Sequence, residues 1–263
     1  MNRRRSVVAG SFYPAACHEI EMLMQRFEQM RQNIETAITP RILVVPHAGY
    51  IYSGFTANMA YSVASQQSGI DRIIVIGPSH RVAFSGASVA RHESFETPCG
   101  DLVMDHVYGA ELEARFEWFG FSESLHQEHS TEVQMPFIKH YFDETPVVEI
   151  VYGQIDPEML SQSIAYMLED TENLIVISTD LSHFYTLEDA GVHDAICIEA
   201  IESMNIGLCK HGCEACGLLG LKGAMMAAQN LKMQSRILDY RTSADTSGDK
   251  DSVVGYVSAL LGF

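Results

Sequence analysis

Basic residues are scarce in this chain: 17 Lys and Arg stand against 34 Asp and Glu, a formal charge of −17 over 263 residues. A surface with that balance repels phosphate, so nucleic acid is not an expected partner. Long apolar runs are missing as well. None reaches membrane-spanning length, and the stretch after Arg3, Arg4 and Arg5 is broken too soon to be a secretory core. No membrane partner is expected, and the expected location is the cytoplasm. The glycine spacings of a Walker loop or a dinucleotide fingerprint are absent, as is a nucleophile elbow, so no nucleotide cofactor is expected. Six cysteines in a chain of this length without an export signal are expected to be reduced thiols. Repeats, linkers and low-complexity stretches are also lacking, and residues 1–263 are expected to form a single domain.

What the chain does contain is a repeated pattern. Three β-branched runs each end in a tight turn that delivers a histidine: Arg41-Ile-Leu-Val-Val-Pro-His47, Arg72-Ile-Ile-Val-Ile-Gly-Pro-Ser-His80 and Asn173-Leu-Ile-Val-Ile-Ser-Thr-Asp-Leu-Ser-His183. Short apolar runs without polar alternation suit parallel strands buried on both faces, and open α/β sheets bind ligands at the carboxyl ends of such strands. His47, His80 and His183 are therefore candidates for one pocket.

Helical periodicity marks residues 17–37, 50–66, 112–121, 156–169, 188–205 and 215–231, with further strands at 146–151, 235–240 and 252–261. Between residues 84 and 105 the pattern shifts to short polar segments with Gly86, Pro98 and Gly100, which suits antiparallel strands at a sheet margin. The expected architecture is α/β, a three-layer αβα domain with a mostly parallel central sheet and antiparallel margins.

Neutral imidazole binds iron, copper and zinc, and divalent iron in oxygenases sits on two histidines and a carboxylate with positions left open. Asp180 shares the third turn with His183, either as a helix cap or as a group orienting a histidine. A second cluster, His126-Gln-Glu-His129-Ser-Thr-Glu132, packs two imidazoles and two carboxylates into seven positions. His129 and Glu132 share a face if this is a helical turn, as an acid/base or ligand pair or as a solvated helix start. Cys209, Cys213 and Cys216 follow i, i+4, i+7 spacing, which suits a zinc site or a small apolar packing stripe.

The ordered motifs Gly10-Ser-Phe-Tyr-Pro14, Pro46-His-Ala-Gly-Tyr-Ile-Tyr-Ser-Gly54, Gly77-Pro-Ser-His80, Glu128-His-Ser-x-Glu132, Ser178-Thr-Asp-Leu-Ser-His183 and Asp251-Ser-Val-Val-Gly-Tyr256 closely resemble the Memo family. Its prokaryotic members are labelled AmmeMemoRadiSam system protein B. The resemblance spans essentially the whole chain and implies a fold similar to that of class III extradiol dioxygenases. It further implies a metal pocket built from His47, His80 and His183, with Asp180, His129, Tyr52 and Phe12 near it. His129 and Asp180 are the expected proton-handling residues, and Phe12, Tyr52, Glu128 and Thr246 the expected substrate contacts. Some family members place a cysteine in the late loop; this chain has Asp245-Thr-Ser247 there and no thiol. Two functions are expected from this pattern. One is a metal-dependent oxidoreductase using iron first, with copper or zinc as alternatives. The other is a binding module in which a vestigial pocket holds a small molecule or peptide. The oligomeric state is not legible.

Overall fold

The computed structural model describes every residue except 1, 32, 33 and 35. Its elements run β1 (Arg3–Arg4), α1 (Cys17–Met30), β2 (Pro40–Val45), α2 (Tyr50–Ala64), β3 (Arg72–Pro78), β4 (Ala87–Val89), β5 (Ser94–Thr97) and β6 (Gly100–Val103). Then come α3 (His106–Arg115), β7 (Phe119–Gly120), α4 (His129–Glu132), α5 (Met135–Tyr141), β8 (Val147–Tyr152), α6 (Pro157–Met167) and β9 (Asn173–Ser178). The chain closes with β10 (His183–Tyr185), α7 (Leu187–Glu202), α8 (Leu218–Asn230), β11 (Gln234–Thr242), α9 (Ala244–Ser247) and β12 (Val253–Gly262).

The large sheet has the order β10-β12-β2-β9-β3-β8-β4-β7, with β11 paired to β12. Its centre, β2, β9, β3 and β8, is parallel, and antiparallel pairing begins at β12 on one side and β4 on the other. β1, β5 and β6 form a small separate sheet. The four central strands are apolar at almost every position because helices cover both faces. Ile42, Val44, Ile74, Ile76, Ile175 and Ile177 enter one core cluster, while Leu43, Val45, Ile73, Val75, Leu174 and Val176 enter the other. Alternate residues along each strand thus feed opposite layers of a three-layer αβα fold.

Several sequence expectations need correction. The helix expected to reach residue 37 ends at Met30, and part of the remaining stretch lies outside the described residues. The helix expected at 112–121 starts at His106, because the Asp105 side chain accepts from Tyr108 N and caps it there; Phe119–Gly120 is instead a strand. The cysteines differ most. Cys17 pairs with Cys99 and Cys197 with Cys213, at Cα separations of 4.7 and 4.6 Å, so four of the six are disulfide-bonded rather than reduced. Cys209 lies in a short 3-10 turn and Cys216 in the loop before α8, so the three late cysteines share no helical face. No helix among the described residues is long and apolar enough to cross a membrane.

Candidate metal centre

Three loops at the carboxyl ends of adjacent parallel strands build the site. β2 runs through Pro46 into His47, β3 through Ser79 into His80, and β9 through Thr179 into Asp180. A fourth element, the single turn α4, brings His129. It can approach because β3 carries Gly77 beneath it: a Cβ there would lie 2.6 Å from Ser130 Oγ. Ser130 Oγ then donates to Pro78 O at 2.7 Å and pins the turn to the strand end.

The rings of His47, His80 and His129 meet at centroid separations of 5.1, 5.5 and 4.7 Å. One ligand nitrogen from each lies within 4.8 Å of the others. His47 is buried, whereas the His80 side chain is 31% exposed, so the cluster opens toward solvent on the His80 side.

Hydrogen bonds fix which nitrogen faces inward. Ser178 Oγ lies 2.5 Å from Ser130 O, a carbonyl that can only accept, so the hydroxyl proton goes there. Its lone pairs then accept from Gln134 Nε2 and from His47 Nδ1, each at 2.9 Å. The Gln134 amide is itself oriented, with Nε2 donating to Pro46 O and Oε1 accepting from Tyr61. His47 therefore carries its proton on Nδ1 and turns a bare Nε2 inward.

Glu128 plays the matching part for the other two rings. One of its oxygens lies 2.7 Å from His129 Nδ1 and 3.5 Å from His80 Nδ1, while the two oxygens also accept from the backbone N–H of His129 and His80. His47 thus has its Nδ1 hydrogen-bonded to the protein, and the Nδ1 atoms of His129 and His80 face the Glu128 carboxylate, an arrangement that turns Nε2 toward a ligand.

The electrostatics agree with that arrangement. Burial, followed by the neighbouring His80 and His129, holds His47 well below the usual imidazole range, so it is neutral. Burial pushes the Glu128 carboxyl up, but hydrogen bonds from His129 and His80 outweigh it and hold the group well below the carboxylate range. Burial also raises the Asp180 carboxyl, partly opposed by the hydrogen bond from His47 N. Asp180 Oδ1 accepts from His47 N at 2.7 Å and Ala48 N at 3.3 Å, so it holds the backbone of the histidine loop.

The remaining expected residues divide into groups. His183 begins β10 and lies outside the close trio; its Nδ1 donates to Leu181 O at 2.8 Å beside a small cavity shared with Glu214 and Cys216. Phe12 packs its ring 4.8 Å from that of His129, and its backbone oxygen accepts from Tyr50 N. Tyr52 and Thr246 line a neighbouring cavity, tied together where Thr246 Oγ1 donates to Ile51 O at 3.1 Å. Glu132, grouped with His129 in the sequence, instead turns away. It accepts from Val7 N, Val8 N, Tyr13 Oη and Arg4, and so fastens the amino-terminal segment that carries Phe12.

Cys216 was not singled out as a pocket residue, yet its Sγ lies 3.3 Å from His47 Nε2 and accepts from Asp180 N at 3.2 Å. Burial pushes this thiol up to about 12. Its loop packs so tightly that a Cβ on Gly217 would lie 2.6 Å from the Thr179 Cβ. The Cys-Gly pair directly before a helix was the available signal. Ser178 and Gln134 left none, since a serine ending a strand and a glutamine before a helix are common anywhere.

Comparison with known proteins bears on this geometry. The Memo-like protein family model matches residues 4–260. A MEMO1 family protein from Sulfurisphaera tokodaii is 34% identical over 232 residues, covering 83% of this chain and 82% of the relative. A Saccharolobus solfataricus MEMO1 family protein is 32% identical, covering 99% of each. Among solved structures, an uncharacterised Escherichia coli K12 protein superimposes with a TM-score of 0.57 at 12% identity, over 83% of this chain and 98% of that one. At that identity the likeness concerns the fold. Since the family match takes in all four loops of the histidine centre, the chain belongs to the Memo family.

Proposed function

We propose that this protein is a metal-dependent oxidoreductase whose metal, iron first and copper or zinc as alternatives, is held by Nε2 of His47, His80 and His129. The observation that carries the reading is the cluster itself: three imidazoles with ligand nitrogens within 4.8 Å of one another, with Ser178 bonded to His47 Nδ1 and the Glu128 carboxylate beside the other two rings. The donor set fits a first-row divalent ion. Imidazole nitrogen suits iron, copper and zinc alike, and Glu128 offsets one positive charge from close by.

When bound, such an ion supplies Lewis-acid or redox chemistry at an open coordination position. The chain's own residues do the rest. Phe12 covers the His129 side and narrows access to water, while the exposed edge of His80 marks the way in. Asp180, which holds the His47 backbone, is the carboxyl best placed to hold a proton, because burial raises it. His183, outside the trio, is the second proton-handling candidate. The substrate enters this reading as a small molecule.

The test is anaerobic reconstitution with ferrous iron, read as iron bound per chain and as the magnetic-resonance signal of a nitric oxide adduct. His47→Ala, His80→Ala and His129→Ala each lose the signal, and His183→Ala retains it. Loss in His183→Ala with retention in His129→Ala would reassign the third ligand. Iron binding unaffected by all four substitutions would end the metal reading and leave a binding module.

A further inference from the structure

Between α1, α2 and α9 lies a cavity of about 570 Å3, next to the histidine centre but with no histidine in its lining. That volume is ordinary for a small-molecule site, which is typically an apolar hollow with a few converging polar groups. The apolar part comes from Phe27 on α1 and Ile51, Tyr52 and Phe55 on α2. Much of this surface is left to water: Ile51 is 65% exposed and Met30, at the rim, 49%.

The polar part carries two arginines, Arg26 and Arg241, and one acid, Asp245. Arg241 lies with its guanidinium 4.0 Å over the Phe55 ring, and its Nε donates to Asp239 at 3.1 Å. Stacking and that bond fix the plane of the group. Among the described residues its two terminal nitrogens have no hydrogen-bond partner, and Arg26 across the cavity has no ion-pair partner. The one acid in the lining, Asp245, is turned toward its own loop through Oδ2, which accepts from Thr242 N at 2.7 Å and from Thr242 Oγ1 at 3.3 Å. A stacked, fixed guanidinium with its outer edge free matches a planar carboxylate, which takes two parallel hydrogen bonds from such a fork.

We propose that this cavity binds a small apolar carboxylate of arylalkyl type. Its ring lies against Phe27, Tyr52 and Phe55, and its carboxylate on the outer edge of Arg241 with Arg26 beside it. The site works without a metal and is separate from the histidine centre.

The experiment uses the metal-free chain in chelator, with 3-phenylpropionate as probe and 3-phenylpropionamide as its uncharged counterpart. Binding is followed at the methyl resonances of Met30 and Ile51. The acid shifts both methyls to saturation, and the amide binds at least about tenfold more weakly, the loss expected when a charge-assisted bond is removed. Arg26→Gln and Arg241→Lys each weaken the acid about tenfold; unchanged methyl spectra in the absence of probe show that both variants fold. Three results overturn the proposal: equal binding of acid and amide, binding insensitive to both substitutions, or sedimentation showing paired chains with this face already covered.

Discussion

The Glu128 carboxylate bridges two histidines on different elements: one oxygen accepts from His80 N at 2.7 Å and the other lies 2.7 Å from His129 Nδ1. A single buried side chain therefore sets both the path of the β3 loop and the ring of the α4 histidine. Glu128→Gln puts an amide N–H against one of these donors. Metal affinity should fall roughly ten- to a hundredfold, the usual effect of losing a group that orients a ligand. Competition with a coloured chelator measures it, and an affinity within about twofold of the parent would remove Glu128 from the metal centre.

The same carboxylate makes the fold acid-sensitive. Glu128 and Glu149 are both held below the usual range despite burial, by His129 and His80 in one case and by His126 in the other. A carboxyl lowered in the folded state adds stability that is present above its unfolded value, about 4.3, and is lost as the pH falls toward the folded value. Asp180, raised by burial, works oppositely, costing stability at neutral pH and releasing that cost on protonation. Asp194 is raised by burial as Asp180 is, while burial at Glu28 is outweighed by hydrogen bonds from Tyr141 and Arg31, which hold that carboxyl at about 2. With three carboxyls lowered against two raised, stability should drop from about pH 4 downward. Glu128→Gln should flatten that slope in urea unfolding between about pH 5 and 3, and an unchanged slope would show that Glu128 does not contribute.

The amino-terminal segment hangs on Glu132, which is fully buried and accepts from Val7 N and Val8 N at 2.8 Å and from Tyr13 Oη at 2.9 Å while paired with Arg4. Arg4→Met leaves that carboxylate without its cation and should cost about 3–5 kcal/mol, as breaking a buried pair from one side does. Adding Glu132→Gln to Arg4→Met should recover part of the loss, since the stranded charge is gone. Thermal unfolding of the four-member cycle checks this, and additive losses would mean the two side chains are not coupled.

Much of this was legible because the relevant signals were local. The buried runs of β2, β3 and β9 declared themselves through β-branched residues, and the turns that follow them placed His47, His80 and Asp180 at one end of the sheet. The third member of the trio was less accessible. His129 and His183 both sat in dense motifs, and the choice between them depends on Gly77 letting α4 settle onto the end of β3, a contact between elements more than 50 residues apart. The disulfide of Cys17 with Cys99 joins residues separated by 82 positions and left no spacing to read. Glu132 shared a motif with His129, yet its partners come from residues 4–13, so adjacency in sequence implied the wrong neighbours.

Cys216 provides the sharpest test of how the centre is wired. Its sulfur lies 3.3 Å from His47 Nε2, but it does not join the close group formed by His47, His80 and His129. A thiol in that place hydrogen-bonds to the nitrogen that a metal needs, so binding must first break the contact. The net worth of such a bond is about 0.5–1.5 kcal/mol, which corresponds to a few-fold up to about tenfold in affinity. Cys216→Ala should therefore tighten metal binding by that factor, and cobalt-loaded parent protein should lack the intense near-ultraviolet band of a thiolate ligand. A weaker Cys216→Ala variant together with a thiolate band in the parent would mean that the loop before α8 swings in to ligate the metal, making the centre three imidazoles and one sulfur.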